Sequence, residues 1–137
     1  MVTRRHLIAV GAGIGLFAPV FALAPSVAQE TRAPADAVLF ESLEQVTTLA
    51  ERGPAILYFH ADWCPTCQAT MVSFQARWPE VQPGLTVIIA DYDTETELKA
   101  RYGVTYQNTF VQVAADGSRI QSWNGGGIEA LNSRPIF

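Results

Sequence analysis

Five uninterrupted apolar residues, Ala55-Ile56-Leu57-Tyr58-Phe59, lead within a few positions into Trp63-Cys64-Pro65-Thr66-Cys67, which holds both cysteines of the chain. A short run rich in aromatic and branched side chains reads as a strand buried on both faces, and the Cys64–Arg77 stretch after it reads as a helix. Pro65 falls in the first turn of that helix, where a missing N–H costs nothing. Cys64 is therefore expected at a helix N-terminus, with Cys67 one turn further in and more buried. Unpaired N–H groups and the positive pole of the helix favour a thiolate there. The pattern points to dithiol chemistry, in which Cys64 attacks a partner disulfide and Cys67 then attacks Cys64 to release the reduced partner.

Other uses of the pair bear on this reading. A structural disulfide closing so short a loop constrains the unfolded chain little. Zinc takes four protein ligands, or three and a water, and the chain has no further cysteine and only two histidines, His6 and His60. Two thiolates suit Cu(I), so a copper-binding or metallochaperone domain using Cys64, Cys67 and His60 is the main alternative.

Periodicity outlines the rest. Ala37–Phe40 reads as an outer strand, and Ser42 as the N-cap of a helix to about Arg52, with Leu43, Val46, Leu49 and Ala50 at helical spacing. Cys67, Met71, Phe74 and Trp78 form an inward stripe on the cysteine-bearing helix. Leu85–Ala90 is a second continuous apolar run, predicted to lie parallel to Ala55–Phe59. Thr94 is expected to cap a short helix to Arg101. Thr109–Val113 and Ser118–Trp123 flank Asp116-Gly117, a hairpin signal. After Gly125-Gly126-Gly127, only Ile128 to about Asn132 remains for a final helix, so one sheet face is left to a folded-back tail or to a docking patch. The sum is an α/β fold, a central mixed β-sheet flanked by helices, with a shortened C-terminal helix.

Phe59-His60-Ala61-Asp62-Trp63-Cys64-Pro65-Thr66-Cys67 resembles the active-site segment of the thioredoxin family. The resemblance runs from about Ala37 to Trp123, through Leu85–Asp93 and a helix ending in Arg101-Tyr102-Gly103-Val104. It implies a thioredoxin-like fold and a thiol–disulfide oxidoreductase that needs no bound cofactor beyond its redox-active Cys64–Cys67 pair. The Ala-Asp-Trp-Cys form is similar to exported domains that reduce protein disulfides with electrons from a membrane-bound donor. Oxidases of this fold usually carry a helical insertion and often a histidine between the cysteines, and this chain shows neither. Trp63 is expected to shape the contact surface beside the dithiol.

Three positions depart from the family. Tyr58 stands where a buried aspartate is usual, and Ile89 where a lysine accompanies it. Asn108 occupies the place of a cis-proline facing the cysteines, with Thr109 following as in the family. A cis bond before a non-proline residue costs about 2.5–4 kcal/mol, so Gln107–Asn108 is either trans or held cis under strain, and the substrate groove is altered both ways. A polar side chain in place of the proline also reopens the metal reading. Asp62 is then a solvated loop carboxylate or an aid to proton transfer at Cys67. His60 shares a strand face with Tyr58 and is a packed histidine, a base or a ligand. Asp91, Asp93, Glu95 and Glu97 read as a solvated acidic run, lacking the glycine-turned loop of a calcium site.

The N-terminus sets the expected compartment. Thr3-Arg4-Arg5-His6 precedes an apolar stretch from Ile8 to Leu23, and Ser26-Val27-Ala28 forms a small-residue cleavage pattern. Residues 1–28 thus read as an export signal resembling the twin-arginine type, residues 29–36 as a flexible arm and residues 37–137 as one domain, placed in the periplasm. Leu7–Val27 is also just long enough to serve as an uncleaved anchor. Removing Arg4 and Arg5 takes the formal charge from −4 to −6. With no basic run or phosphate-cradling motif, that argues against nucleic acid as a partner. The expected partners are protein disulfides and a membrane electron donor, met by a monomer.

Overall fold

Helices on both faces of the sheet explain why the central strands are apolar almost to their ends. The computed structural model describes residues 35–137. The export signal, the alternative anchor and most of the expected arm lie outside the described residues. In chain order the elements are β1 (Asp36–Leu39), α1 (Leu43–Ala50), β2 (Ala55–His60), α2 (Pro65–Arg77), a 3₁₀ turn (Trp78–Glu80), β3 (Thr86–Asp91), α3 (Thr96–Tyr102), β4 (Thr109–Val113), β5 (Arg119–Asn124) and α4 (Gly127–Ser133).

The strands form one sheet in the order β1-β3-β2-β4-β5. β3 runs parallel to both β1 and β2, with Tyr58 opposite Ile89. β4 is antiparallel to β2, with Tyr58 opposite Phe110, and β5 is antiparallel to β4. Alternation along β2 divides its side chains between two cores. Leu57 and Phe59 meet Val46 of α1 and Leu98 and Tyr102 of α3. Ile56 and Tyr58 meet Phe74 of α2 and Ile128 and Leu131 of α4. Each large apolar side chain buried in this way contributes about 1.5–3 kcal/mol.

Local signals account for most boundaries. The Ser42 hydroxyl accepts the Gln45 N–H as the cap of α1, and Gly103, with φ of 67°, ends α3 in the left-handed conformation that glycine adopts freely. Asp116 accepts the Ser118 N–H inside the β4–β5 turn. The cap predicted at Thr94 is not formed. α3 starts two residues later, and the Asp91 carboxylate instead turns the chain by accepting the N–H groups of Asp93 and Thr94. The competing carboxylate lies at the end of β3, so the turn is closed from the strand side.

The C-terminal helix is short, and the tail folds back to complete the sheet face. Gln112 of β4 is buried, and its carboxamide acts like a strand backbone. Its Nε2 donates to the Ile136 carbonyl at 2.6 Å, and its Oε1 accepts the Ile136 N–H at 3.0 Å and Gln121 Nε2 at 2.9 Å. Arg77 ties α2 to α4 by pairing with Glu80 and Glu129. Replacing Gln112 by leucine strips the tail of both hydrogen bonds and leaves a Gln121 donor unmatched. A loss of about 1–2 kcal/mol in urea unfolding is expected, with faster carboxypeptidase trimming of the C-terminus. An unchanged midpoint would show that the Gln112 bonds to the tail add nothing to stability.

Candidate active site

Cys64 is the N-cap of α2, in extended conformation, with Pro65 in the first turn. Its Sγ accepts the Cys67 N–H at 3.2 Å and lies 3.2 Å from Thr66 Oγ1. Both cysteines are free thiols. Cys64 sits just beneath the surface and Cys67 deeper. Burial opposes ionisation of Cys64, but hydrogen bonds from the Cys67 thiol, the Thr66 hydroxyl and the backbone at Cys67 and Thr66 outweigh it. They hold Cys64 below the ordinary thiol range. Cys67 moves the other way. Burial first, then the Cys64 sulfur, push its thiol up, while the Ala61 backbone and the Tyr58 hydroxyl pull partly back.

Beneath the dithiol lies a buried polar cluster contributed by three elements. The Tyr58 hydroxyl of β2 donates to Asn108 Oδ1 at 3.0 Å and lies 3.4 Å from the Cys67 carbonyl. Thr70 of α2 donates to the same Asn108 oxygen at 3.1 Å and is 3.0 Å from the Thr66 carbonyl. Asn108 is 6% exposed. The Gln107–Asn108 bond is trans, since no cis peptide occurs among the described residues, and Asn108 itself has φ of 59°. Asparagine tolerates that left-handed conformation better than most residues. Its N–H donates to the Phe59 carbonyl at 2.8 Å and its carbonyl accepts the Gly125 N–H at 2.9 Å, so the backbone is fastened to β2 and to the β5–α4 junction.

The other expected site residues take different places. Trp63 is 58% exposed beside the cysteines, with its indole N–H on Asp93 at 2.8 Å. Tyr106, also exposed, presents a second aromatic ring on the loop before Asn108. Asp62 is solvated and meets His60 Nε2 at 3.1 Å. His60 packs its ring 5.9 Å from that of Tyr58, and its Nδ1 has no hydrogen-bond partner among the described residues. Thr109 faces the loop, donating to the Tyr106 carbonyl. Asn124 fastens the same loop by donating to the Gln107 carbonyl and to Thr109 Oγ1. Ile89 is half-buried against the α2-side core. No group of three or more His, Cys, Asp or Glu side chains is arranged to hold a metal ion among the described residues. Sequence reasoning missed Thr70 and Asn124. Thr70 carried a signal, a polar residue between Cys67 and Phe74 on the inward side of α2.

The thioredoxin family profile matches residues 38–133. The chain belongs to the thioredoxin family. Among solved structures, Fasciola hepatica thioredoxin is similar at 27% identity, with a TM-score of 0.54 over 65% of this chain and 84% of that one. A mutant thioredoxin from Halobacterium salinarum shares the fold at 23% identity and a TM-score of 0.55, over 77% of this chain and 99% of its own. Trxlp from Edwardsiella tarda does so at 21% identity and 0.52, over 69% and 91%. Comparison with curated protein sequences found no match. Within a thioredoxin fold, this chain therefore sets a tyrosine, a threonine and a trans asparagine around its deeper cysteine.

Two measurements test this geometry. Alkylation by iodoacetamide, resolved by peptide mass spectrometry across pH, is expected to label Cys64 with a midpoint below the free-thiol range and Cys67 with one above it. A lowered pKa raises the thiolate fraction of Cys64 at neutral pH, and a raised one keeps that of Cys67 smaller. A common midpoint, or the reverse order, contradicts the geometry. Asn108→Pro removes the N–H bonded to Phe59 and cannot reach a φ of 59°. It is expected to cost about 3 kcal/mol or more in denaturant unfolding, whereas a neutral result would mean that the loop adopts the cis-proline form without penalty.

Proposed function

We propose that this chain is an exported thiol–disulfide oxidoreductase that reduces disulfides in client proteins through Cys64 and Cys67. The observation that carries the reading is the pairing of a thiol held below the ordinary range at the N-cap of α2 with a second thiol one turn deeper on the same helix. The Cys64 thiolate attacks one sulfur of a client disulfide, forming a mixed disulfide and expelling the other client sulfur as a thiolate. Cys67, as a thiolate, attacks Cys64, and the bond to the client breaks. Two electrons pass to the client, whose thiolates take up the two protons that the cysteines released to solvent.

Trp63, next to Cys64, and Tyr106, on the loop before Asn108, supply exposed aromatic surface for an extended client segment. The reductive direction is supported by the lack of any helix inserted into the strand–helix order among the described residues and by Pro65-Thr66, which contains no histidine. The Arg4-Arg5 pair, the apolar stretch and Ser26-Val27-Ala28 support export to the periplasm, where a membrane-bound donor would restore the dithiol. No helix among the described residues is long and apolar enough to cross a membrane, so an anchored form would rest on residues 7–27. The reading takes the protein as a monomer with no bound cofactor and no nucleic-acid partner.

The test is the reduction potential of the Cys64–Cys67 pair in the 137-residue chain, equilibrated against dithiol and glutathione buffers without metal. A value near about −270 mV supports a reductase, while one near about −120 mV reverses the direction to oxidant. Failure to exchange with either buffer overturns the reading.

A further inference from the structure

The polar cluster under the dithiol has more hydrogen-bonding capacity than the resting thiol form uses. Tyr58 and Thr70 each carry one hydroxyl proton, and both hydroxyls converge on Asn108 Oδ1, at 3.0 and 3.1 Å. Each also has a second acceptor. For Thr70 it is the Thr66 carbonyl at 3.0 Å. For Tyr58 it is Cys67, whose carbonyl lies 3.4 Å from the hydroxyl and whose thiol the same hydroxyl favours in its ionised form. A buried acceptor left without a donor is costly. Asn108 Oδ1, with two donors, can release one without being orphaned.

We infer that Tyr58 is a positioning residue for Cys67: its hydroxyl transfers its hydrogen bond from Asn108 to the Cys67 sulfur when that sulfur becomes an anion, while Thr70 keeps Asn108 satisfied. This rests on the dithiol reading above. The tyrosine proton stays on its own oxygen throughout, because burial and the neighbouring Cys67 charge push the Tyr58 pKa up. The Cys67 proton goes to solvent, the Cys67 thiolate attacks Cys64 in the mixed disulfide, and the client leaves as a thiolate that is protonated from solvent. No redox partner beyond client and dithiol is needed.

Few other groups face Cys67. Cys64 lies on its own helix, and Tyr92, packed against the cysteines from the β3–α3 side, has its hydroxyl on the Thr105 carbonyl. His60, next to Tyr58, has Nε2 on the solvated Asp62. Stacking of Tyr58 on Phe110, with ring centroids 4.5 Å apart, and its edge contact with Phe74 hold the phenol in place, and phenylalanine would keep both contacts.

The experiment uses 5,5′-dithiobis(2-nitrobenzoate) on the reduced 137-residue chain, followed by stopped flow across pH. The first thionitrobenzoate released reports attack by Cys64, and the second reports attack by Cys67. In Tyr58→Phe the second phase is expected to slow about tenfold relative to the first at neutral pH, with its midpoint moved to higher pH, as befits the loss of one charge-assisted hydrogen bond. Thr70→Val, which ties the Tyr58 proton to Asn108, is expected to shift the second phase the same way by a smaller factor. Superimposable second-phase profiles in the parent and either correctly folded variant overturn the inference alone. A parent that releases no second thionitrobenzoate overturns the dithiol reading itself. If Tyr58→Phe does not fold, Thr70→Val decides between the same outcomes.

Discussion

Burial of β2 on both faces is the constraint on which the rest depends. A strand with no solvent-facing side needs a helix layer above and below, and its neighbours must pair along both edges. β3 on one edge and β4 on the other supply the pairing, while α1 and α3 cover one face and α2 and α4 the other. Because β2 ends at His60 and the chain must then turn to begin α2, the cysteines arrive at the strand's C-terminal end. The place of Cys64 at the helix N-cap is a consequence of where the sheet stops and the helix starts.

The same constraint shapes the chemistry. An N-cap position gives Cys64 donors to its sulfur from the first turn of its own helix, so its anion is stabilised by groups that folding must orient anyway. One turn later the helix has entered the core, and the same fold that favours an anion at Cys64 disfavours one at Cys67. The two thiols of one helix are thereby shifted in opposite directions with no charged side chain bonded to either sulfur. The groups that temper the cost at Cys67 come from outside its helix, the backbone of Ala61 just after β2 and the Tyr58 hydroxyl of β2, and Asn108, from the loop before β4, ties that hydroxyl to Thr70 of α2.

Much of this was legible in the chain. The two apolar runs announced neighbouring parallel strands, Ser42 announced the start of α1, Asp116-Gly117 the final hairpin, and Pro65 after Cys64 the N-terminus of α2. These signals are local, since each depends on residues within a few positions of one another. Thr94 misled for a related reason. Its capping ability is real, but Asp91 at the end of β3 accepts the N–H groups of Asp93 and Thr94 and so fixes the turn in which Thr94 sits, and the helix begins after it. The folded-back tail was one of two openings left by a short final helix. Gln112 chose between them, by placing a buried amide that bonds both the carbonyl and the N–H of the returning Ile136 backbone.

By itself the sequence determined the dithiol, its place at a helix start, and the α/β alternation that surrounds it, because spacing and periodicity act over one or two turns. It also flagged Tyr58 and Asn108 as unusual. What they do was decided only by the tertiary structure. Tyr58 and Asn108 are fifty residues apart, and their hydrogen bond exists because β2 and β4 pair in a register that sets Tyr58 opposite Phe110, two positions after Asn108. A single-residue slip of that register would turn Tyr58 to the opposite face and break its hydrogen bond to Asn108.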